Sequence, residues 1–105
     1  MSTNKSIEFL QEMAIFVKVV ETGSFSETAR QLGYTPSAIS RSISRLEKAL
    51  GTQLIQRTTR KLALSESGKQ VHVYCLEMLN AAQTVIESSG HFSEKPEGVV
   101  RISVP

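Results

Sequence analysis

Ser37, Ser40, Arg41 and Ser44 recur at i, i+3, i+4 and i+7, a spacing that stacks side chains on one face of an α-helix. Lys48 extends the row. Short hydroxyls beside one guanidinium suit recognition better than reaction: they let a helix approach base edges closely, and Arg41 could pair bidentately with guanine O6 and N7 in a major groove. A solvated polar helix face is the bland reading of the same residues. Opposite them, Ile39, Ile43, Leu46 and Leu50 form one apolar stripe, which predicts a helix with a core side and a polar, basic side.

Charge points the same way. The 105 residues carry a net charge of only +2. Residues 36–61, however, hold six Lys/Arg (Arg41, Arg45, Lys48, Arg57, Arg60, Lys61) against the single acid Glu47, a local +5 that leaves −3 for the remainder. Such a basic cluster is the footprint of a phosphate-binding surface. Catalysis finds no support: there is no Asp, the two histidines His72 and His91 fall in a helical pattern and a polar stretch, and no Gly-rich phosphate loop or paired-carboxylate motif occurs. The chain is read as a non-enzyme with no cofactor and no metal site. Cys75 is the only cysteine, which rules out an internal disulfide and a Cys-based zinc site and agrees with a reducing compartment. No signal-peptide core or bilayer-length apolar run is present, so a cytoplasmic location without membrane contact is expected.

The elements that must hold these residues follow from caps and periodicity. A first helix is predicted from near Ser6 to just before Gly23, with apolar strips Leu10, Met13, Ala14, Val17, Val20 and Ile15, Val19 implying two packing neighbours. Ser24 with Glu27 matches a capping box, and Gly33 suits a left-handed helix end. Thr35 and Pro36 then start a second helix at once, leaving only Gly33–Tyr34 as the turn. Ser24–Gly51 is therefore a helix-turn-helix. Ala29, Gly33 and Ile39 fit the small, turn and buried positions of such a unit. Leu54–Arg57 and Lys61–Leu64 read as a small hairpin whose tip holds Thr58 and is flanked by Arg57 and Arg60. From the N-cap Ser65 a long helix runs to about Ser89, with the strip Val71, Cys75, Met78, Ala82, Val85 broadened by Leu79 and Ile86. Gly90–Gly98, with Pro96, is a hinge, and VVRISVP alternates as a strand does.

The segments GSFSETARQLG, TPSAISRSISRLEKALG and LIQRTTRKLALSESG, between Phe16 and Gly68, resemble the amino-terminal domain of LysR-type bacterial transcription regulators. The resemblance implies a mainly α fold, a winged helix-turn-helix with a three-helix core and a β-hairpin wing, followed by a long linker helix. Three parts are expected: residues 1–64 as the DNA-binding domain, 65–89 as the linker and dimerisation helix, and 90–105 as hinge and first strand of an effector-binding domain that lies outside the chain. The implied function is sequence-specific binding of double-stranded DNA for transcription regulation, with the wing on the backbone or minor groove. A winged helix used only as a protein-interaction scaffold is the alternative. The DNA-contact set is Ser24, Thr35, Ser37, Ser40, Arg41, Ser44, Arg45, Arg57, Thr58 and Arg60. The dimerisation set is Val71, Cys75, Met78, Ala82 and Val85, giving a homodimer, with higher oligomers in a full-length protein and a small-molecule effector only for the missing domain. Pro36 and Ser42 stand where many relatives carry glutamine, so base preference is not carried over.

Overall fold

Wherever the sequence offers a hydroxyl before a helix and a glycine after it, the chain uses both. The computed structural model describes residues 7–57 and 61–94. In these, α1 (Leu10–Thr22), α2 (Phe25–Leu32) and α3 (Pro36–Leu50) are followed by β1 (Ile55–Arg57), β2 (Leu62–Leu64) and α4 (Glu66–Glu94). Ser24 Oγ accepts the Glu27 N–H at 3.0 Å, Thr35 Oγ1 the Ala38 N–H at 3.1 Å, and Ser65 Oγ the Gly68 N–H at 2.9 Å, each satisfying an N-terminal donor that a helix leaves unpaired. Gly33 closes α2 at φ 77°, where a side chain would be strained. Its N–H and that of Tyr34 both reach Ala29 O, so α3 can start two residues later.

The result is a winged helix-turn-helix, mainly α, with one antiparallel hairpin pairing Ile55 with Leu64, Gln56 with Ala63 and Arg57 with Leu62. Helix α1 is the hub, packing against α2, α3 and α4. That explains why Ile15, Phe16, Val17 and Val19 are all buried although they do not form one stripe: neighbours on several sides bury consecutive residues. The two-strip expectation missed Phe16 and overvalued Leu10, which is 43% exposed. Ile39, Ile43 and Leu46 of α3 and Leu54 and Ile55 at the wing are fully or almost fully buried. Thr28 is buried with them, its hydroxyl bonded to Ser24 O at 2.8 Å and to Thr22 Oγ1 at 2.7 Å, which removes the cost of hiding a polar group.

Several expected boundaries move. Residues 7 and 8 are already helical, in keeping with a start near Ser6, but Phe9 leaves helical geometry (φ −113°, ψ 13°), puts its ring under the Arg45 guanidinium and sets the start of the continuous helix α1 at Leu10. The long helix does not stop at Ser89. It continues through Gly90 to Glu94, since one interior glycine costs only about 1 kcal/mol, whereas the sequence's strong breaker is Pro96. Residue 90, expected to open the hinge, is thus helical. The remainder of the expected hinge and the strand at 99–105 lie outside the described residues. Leu50 does not complete the α3 stripe, being 43% exposed where the helix runs past its covering neighbours.

The first turn of α4 lies directly on the chain entering β1. An added Cβ at Gly68 would stand 2.1 Å from Leu54 O and 3.0 Å from Leu54 C, and both obstacles are backbone. Gly68→Ala should therefore destabilise the domain by about 1–3 kcal/mol, read as a lowered midpoint in urea or thermal unfolding; an unchanged midpoint would show that this packing yields freely.

Candidate nucleic-acid interface

The polar side of α3 is shaped by what lies beneath it. With Ile39, Ile43 and Leu46 held in the core, Ser37, Arg41, Ser44 and Lys48 are turned outward and exposed, and Ser40 is half-buried at the edge of the same face. The adjoining turn is fixed by Tyr34, whose hydroxyl accepts from Gln11 Nε2 at 2.8 Å, tying the start of α3 to α1. Thr35 is exposed and Ser24 half-buried. Both hydroxyl oxygens accept capping bonds, which leaves each hydroxyl hydrogen available for an outside acceptor.

Ion pairing sorts the cations. Lys18 pairs with Glu21 at 3.7 Å, Lys69 with Glu66 at 3.5 Å, and Arg30 binds Glu27. Arg45 stands apart from the outward face: its Nε lies 3.3 Å from Glu12 Oε2, and its guanidinium covers the Phe9 ring at 5.3 Å. Among the described residues Arg41 and Lys48 make no ion pair. The capping box expected at Ser24 is only half made, because Glu27 turns to Arg30 and Gln31 instead of reaching back, while the Ser24 N–H donates to Thr22 Oγ1 at 3.1 Å. Those bonds, Arg30's first, hold the Glu27 carboxyl at about 2. Its stabilising effect is thus complete above the ordinary carboxylate range, at neutral pH included, declines as pH falls below the ordinary value of 4.5, and is gone once pH has passed about 2.

The one acid in the basic segment proved more consequential than the sequence suggested. Glu47 Oε2 accepts the N–H groups of Leu54 and Ile55 at 2.9 and 3.1 Å, linking the end of α3 to the wing. In the sequence it is marked only as the single acid of residues 36–61. Glu12, Gln11 and Tyr34 were likewise missed; only the fold brings them to their partners. The side chain of Arg57, and Thr58 and Arg60 altogether, lie outside the described residues, so the wing-tip assignments gain no geometry here.

The strip on α4 divides in two. Cys75 is 5% exposed and belongs to the domain's own core, so of the five residues expected to dimerise it presents the least surface to a second chain. Burial also pushes its thiol up. Val71 and Met78 are half-buried and share a shallow apolar depression with Met13, Leu50 and Tyr74. Ala82 and Val85, further along, are exposed, Val85 to 69%. His72 sets its ring edge-on to Phe16 at 6.2 Å, a packing role. Among the described residues no group of His, Cys, Asp or Glu is placed to hold a metal ion, and no helix is long and apolar enough to cross a membrane.

The two recognition-helix arginines should therefore separate in stability measurements. Arg45→Ala removes an ion pair and a cation–π interaction and should cost about 0.5–1 kcal/mol, whereas Arg41→Ala should leave the urea midpoint unchanged. Equal effects would mean that the Glu12–Arg45–Phe9 cluster contributes nothing.

Comparison with known proteins agrees with this geometry. The family described as "Bacterial regulatory helix-turn-helix protein, lysR family" matches residues 10–69. The chain is 46% identical over 100 residues to the probable HTH-type transcriptional regulator LtrA of Klebsiella pneumoniae, covering 95% of this chain and 32% of that protein. It is 42% identical over 96 residues to the HTH-type transcriptional activator AaeR of Escherichia coli K12, covering 91% and 31%. The chain thus spans about a third of the length of these curated relatives. Among solved structures, the BenM_DBD complex with benA site 1 DNA superposes with a TM-score of 0.73 at 28% identity, covering 80% of this chain and 94% of that one. With the family's pattern running from α1 into α4, and the fold shared with a DNA-bound relative, this chain belongs to the LysR family of bacterial helix-turn-helix regulatory proteins.

Proposed function

We propose that the chain is the DNA-reading part of a transcription regulator, with α3 entering the major groove of duplex DNA and the β1–β2 wing meeting the backbone or minor groove beside it. The observation that carries this is the outward face of α3. Ser37, Arg41 and Ser44 are exposed together, with Lys48 beside them. Among the described residues, Arg41 and Lys48 lack the internal ion pairs that engage Lys18, Arg30, Arg45 and Lys69. Cations left unpaired on a helix of small side chains suit a polyanion with readable edges. The role is binding, without catalysis, and its setting is the cytoplasm, where the duplex target lies.

Arg41 reads base edges in this arrangement, flanked by Ser37, Ser40 and Ser44. Arg41→Ala should lose roughly 1–3 kcal/mol of discrimination at one base position, measured as the ratio of specific to non-specific affinity in duplex titrations at fixed salt. A full ratio in the variant would remove Arg41 as a reader. A domain acting only as a protein scaffold would show no steep dependence of duplex affinity on salt.

The same reading includes a homodimer held by α4, since one small domain covers little DNA and two linked copies read two half-sites. Support comes from the part of α4 beyond Met78, where Val85 is exposed to 69%. Higher oligomers and effector binding belong to a longer protein. Met78 is a poor probe of the dimer because it also packs within its own domain; Val85→Glu avoids that. The variant should be monomeric by light scattering, with unchanged helical circular dichroism and affinity for a palindromic duplex reduced by about 10²–10⁴-fold. A Val85→Glu dimer with undiminished affinity would place the interface elsewhere.

A further inference from the structure

Glu47 is the single acid among six cations in residues 36–61, and it sits in the last turns of α3, where the helix dipole disfavours negative charge. An acid here works against phosphate binding by its charge and against the helix by its place. Its carboxylate is nevertheless committed: Oε2 accepts the N–H groups of Leu54 and Ile55 at 2.9 and 3.1 Å. Both residues are buried, at 0% and 1% exposure, so those donors depend on a protein acceptor. On its other side the same segment is gripped by the start of α4. Leu54 O accepts the Ser65 N–H at 2.9 Å, Gln53 O accepts the Ser65 hydroxyl at 2.6 Å, and the backbone of Gly68 approaches Leu54 O so closely that an added Cβ would stand 2.1 Å from it.

We infer that Glu47 is a positioning residue whose carboxylate sets the angle between α3 and the β1–β2 wing, so that both reach one duplex at once. The consequence for DNA rests on the DNA-binding reading above; the angle itself does not. A residue contributing charge alone and a residue holding the wing predict opposite results. Neutralising a mere charge raises affinity for phosphate, whereas releasing the wing lowers it.

Three variants of the full chain separate the two. Glu47→Asp keeps the charge but shortens the reach, Glu47→Gln loses the charge but keeps an acceptor oxygen, and Glu47→Ala loses both. Residual dipolar couplings measured without DNA should show the hairpin reoriented relative to α3 in Glu47→Asp and Glu47→Ala and unmoved in Glu47→Gln. In duplex titrations the same two variants should bind more weakly, with the salt slope lowered by about 0.9 for each phosphate that the wing no longer reaches, while Glu47→Gln binds as well as wild type or better. If Glu47→Ala fails to fold, the Asp and Gln variants carry the same comparison. An unmoved hairpin in Glu47→Asp, or tighter binding by Ala and Gln alike with Asp equal to wild type, overturns the inference. Absence of salt-dependent duplex binding by wild type would instead overturn the DNA-binding reading, and the couplings would still decide the role of Glu47.

Discussion

The burial of Ile39, Ile43 and Leu46 against α1 is the interaction on which the rest of the domain depends. Each of these side chains is fully hidden, and each contributes about 1.5–3 kcal/mol relative to exposure. Because a helix is rigid, burying this stripe also decides where the opposite face points. The outward arrangement of Ser37, Arg41 and Ser44 is thus produced by apolar packing beneath them. Phe16 and Val19 of α1, themselves fully buried, supply part of that floor. Buried Thr28 knits the end of α1 to the start of α2 through its bonds to Thr22 and Ser24.

Electrostatics then distinguishes structural from available charge. A count of lysines and arginines treats all of them alike, yet several in the described residues are engaged with a neighbouring acid one helical turn away or, for Arg45, across the α1–α3 packing. Exposed pairs of this kind contribute little stability. Their larger effect is to concentrate unpaired positive charge on α3, where Arg41 and Lys48 remain. Charge is focused by pairing elsewhere as much as by clustering here.

The segment from Thr52 to Ile55 is the mechanical joint of the molecule. Glu47 holds it to the recognition helix, and Ser65, Ser67 and Gly68 hold it to the linker helix, the Thr52 and Ser67 hydroxyls lying 3.0 Å apart. The direction in which α4 leaves the domain is consequently tied to the same peptide groups that seat the wing. In a dimer joined through α4, the placement of one recognition helix relative to the other would pass through this joint.

Much of this was legible in the residues themselves. Local signals determine local outcomes: Ser24, Thr35 and Ser65 cap helices because their hydroxyls reach N–H groups three residues away, and Gly33 ends α2 because it tolerates positive φ. The two-faced character of α3 followed from periodicity, the hairpin from its two short apolar runs, and the family from the joined segments. What the sequence could not decide depends on which distant groups meet. Tertiary structure alone commits Arg45 to Glu12, Glu47 to the wing and Cys75 to the core, and requires Gly68 to be a glycine. It also exposes Leu50; the run of α4 past Gly90 is by contrast a local outcome, because helix cooperativity outweighs one weak residue. Periodicity marks a face as apolar; only the arrangement of neighbours determines how far along that face the covering extends.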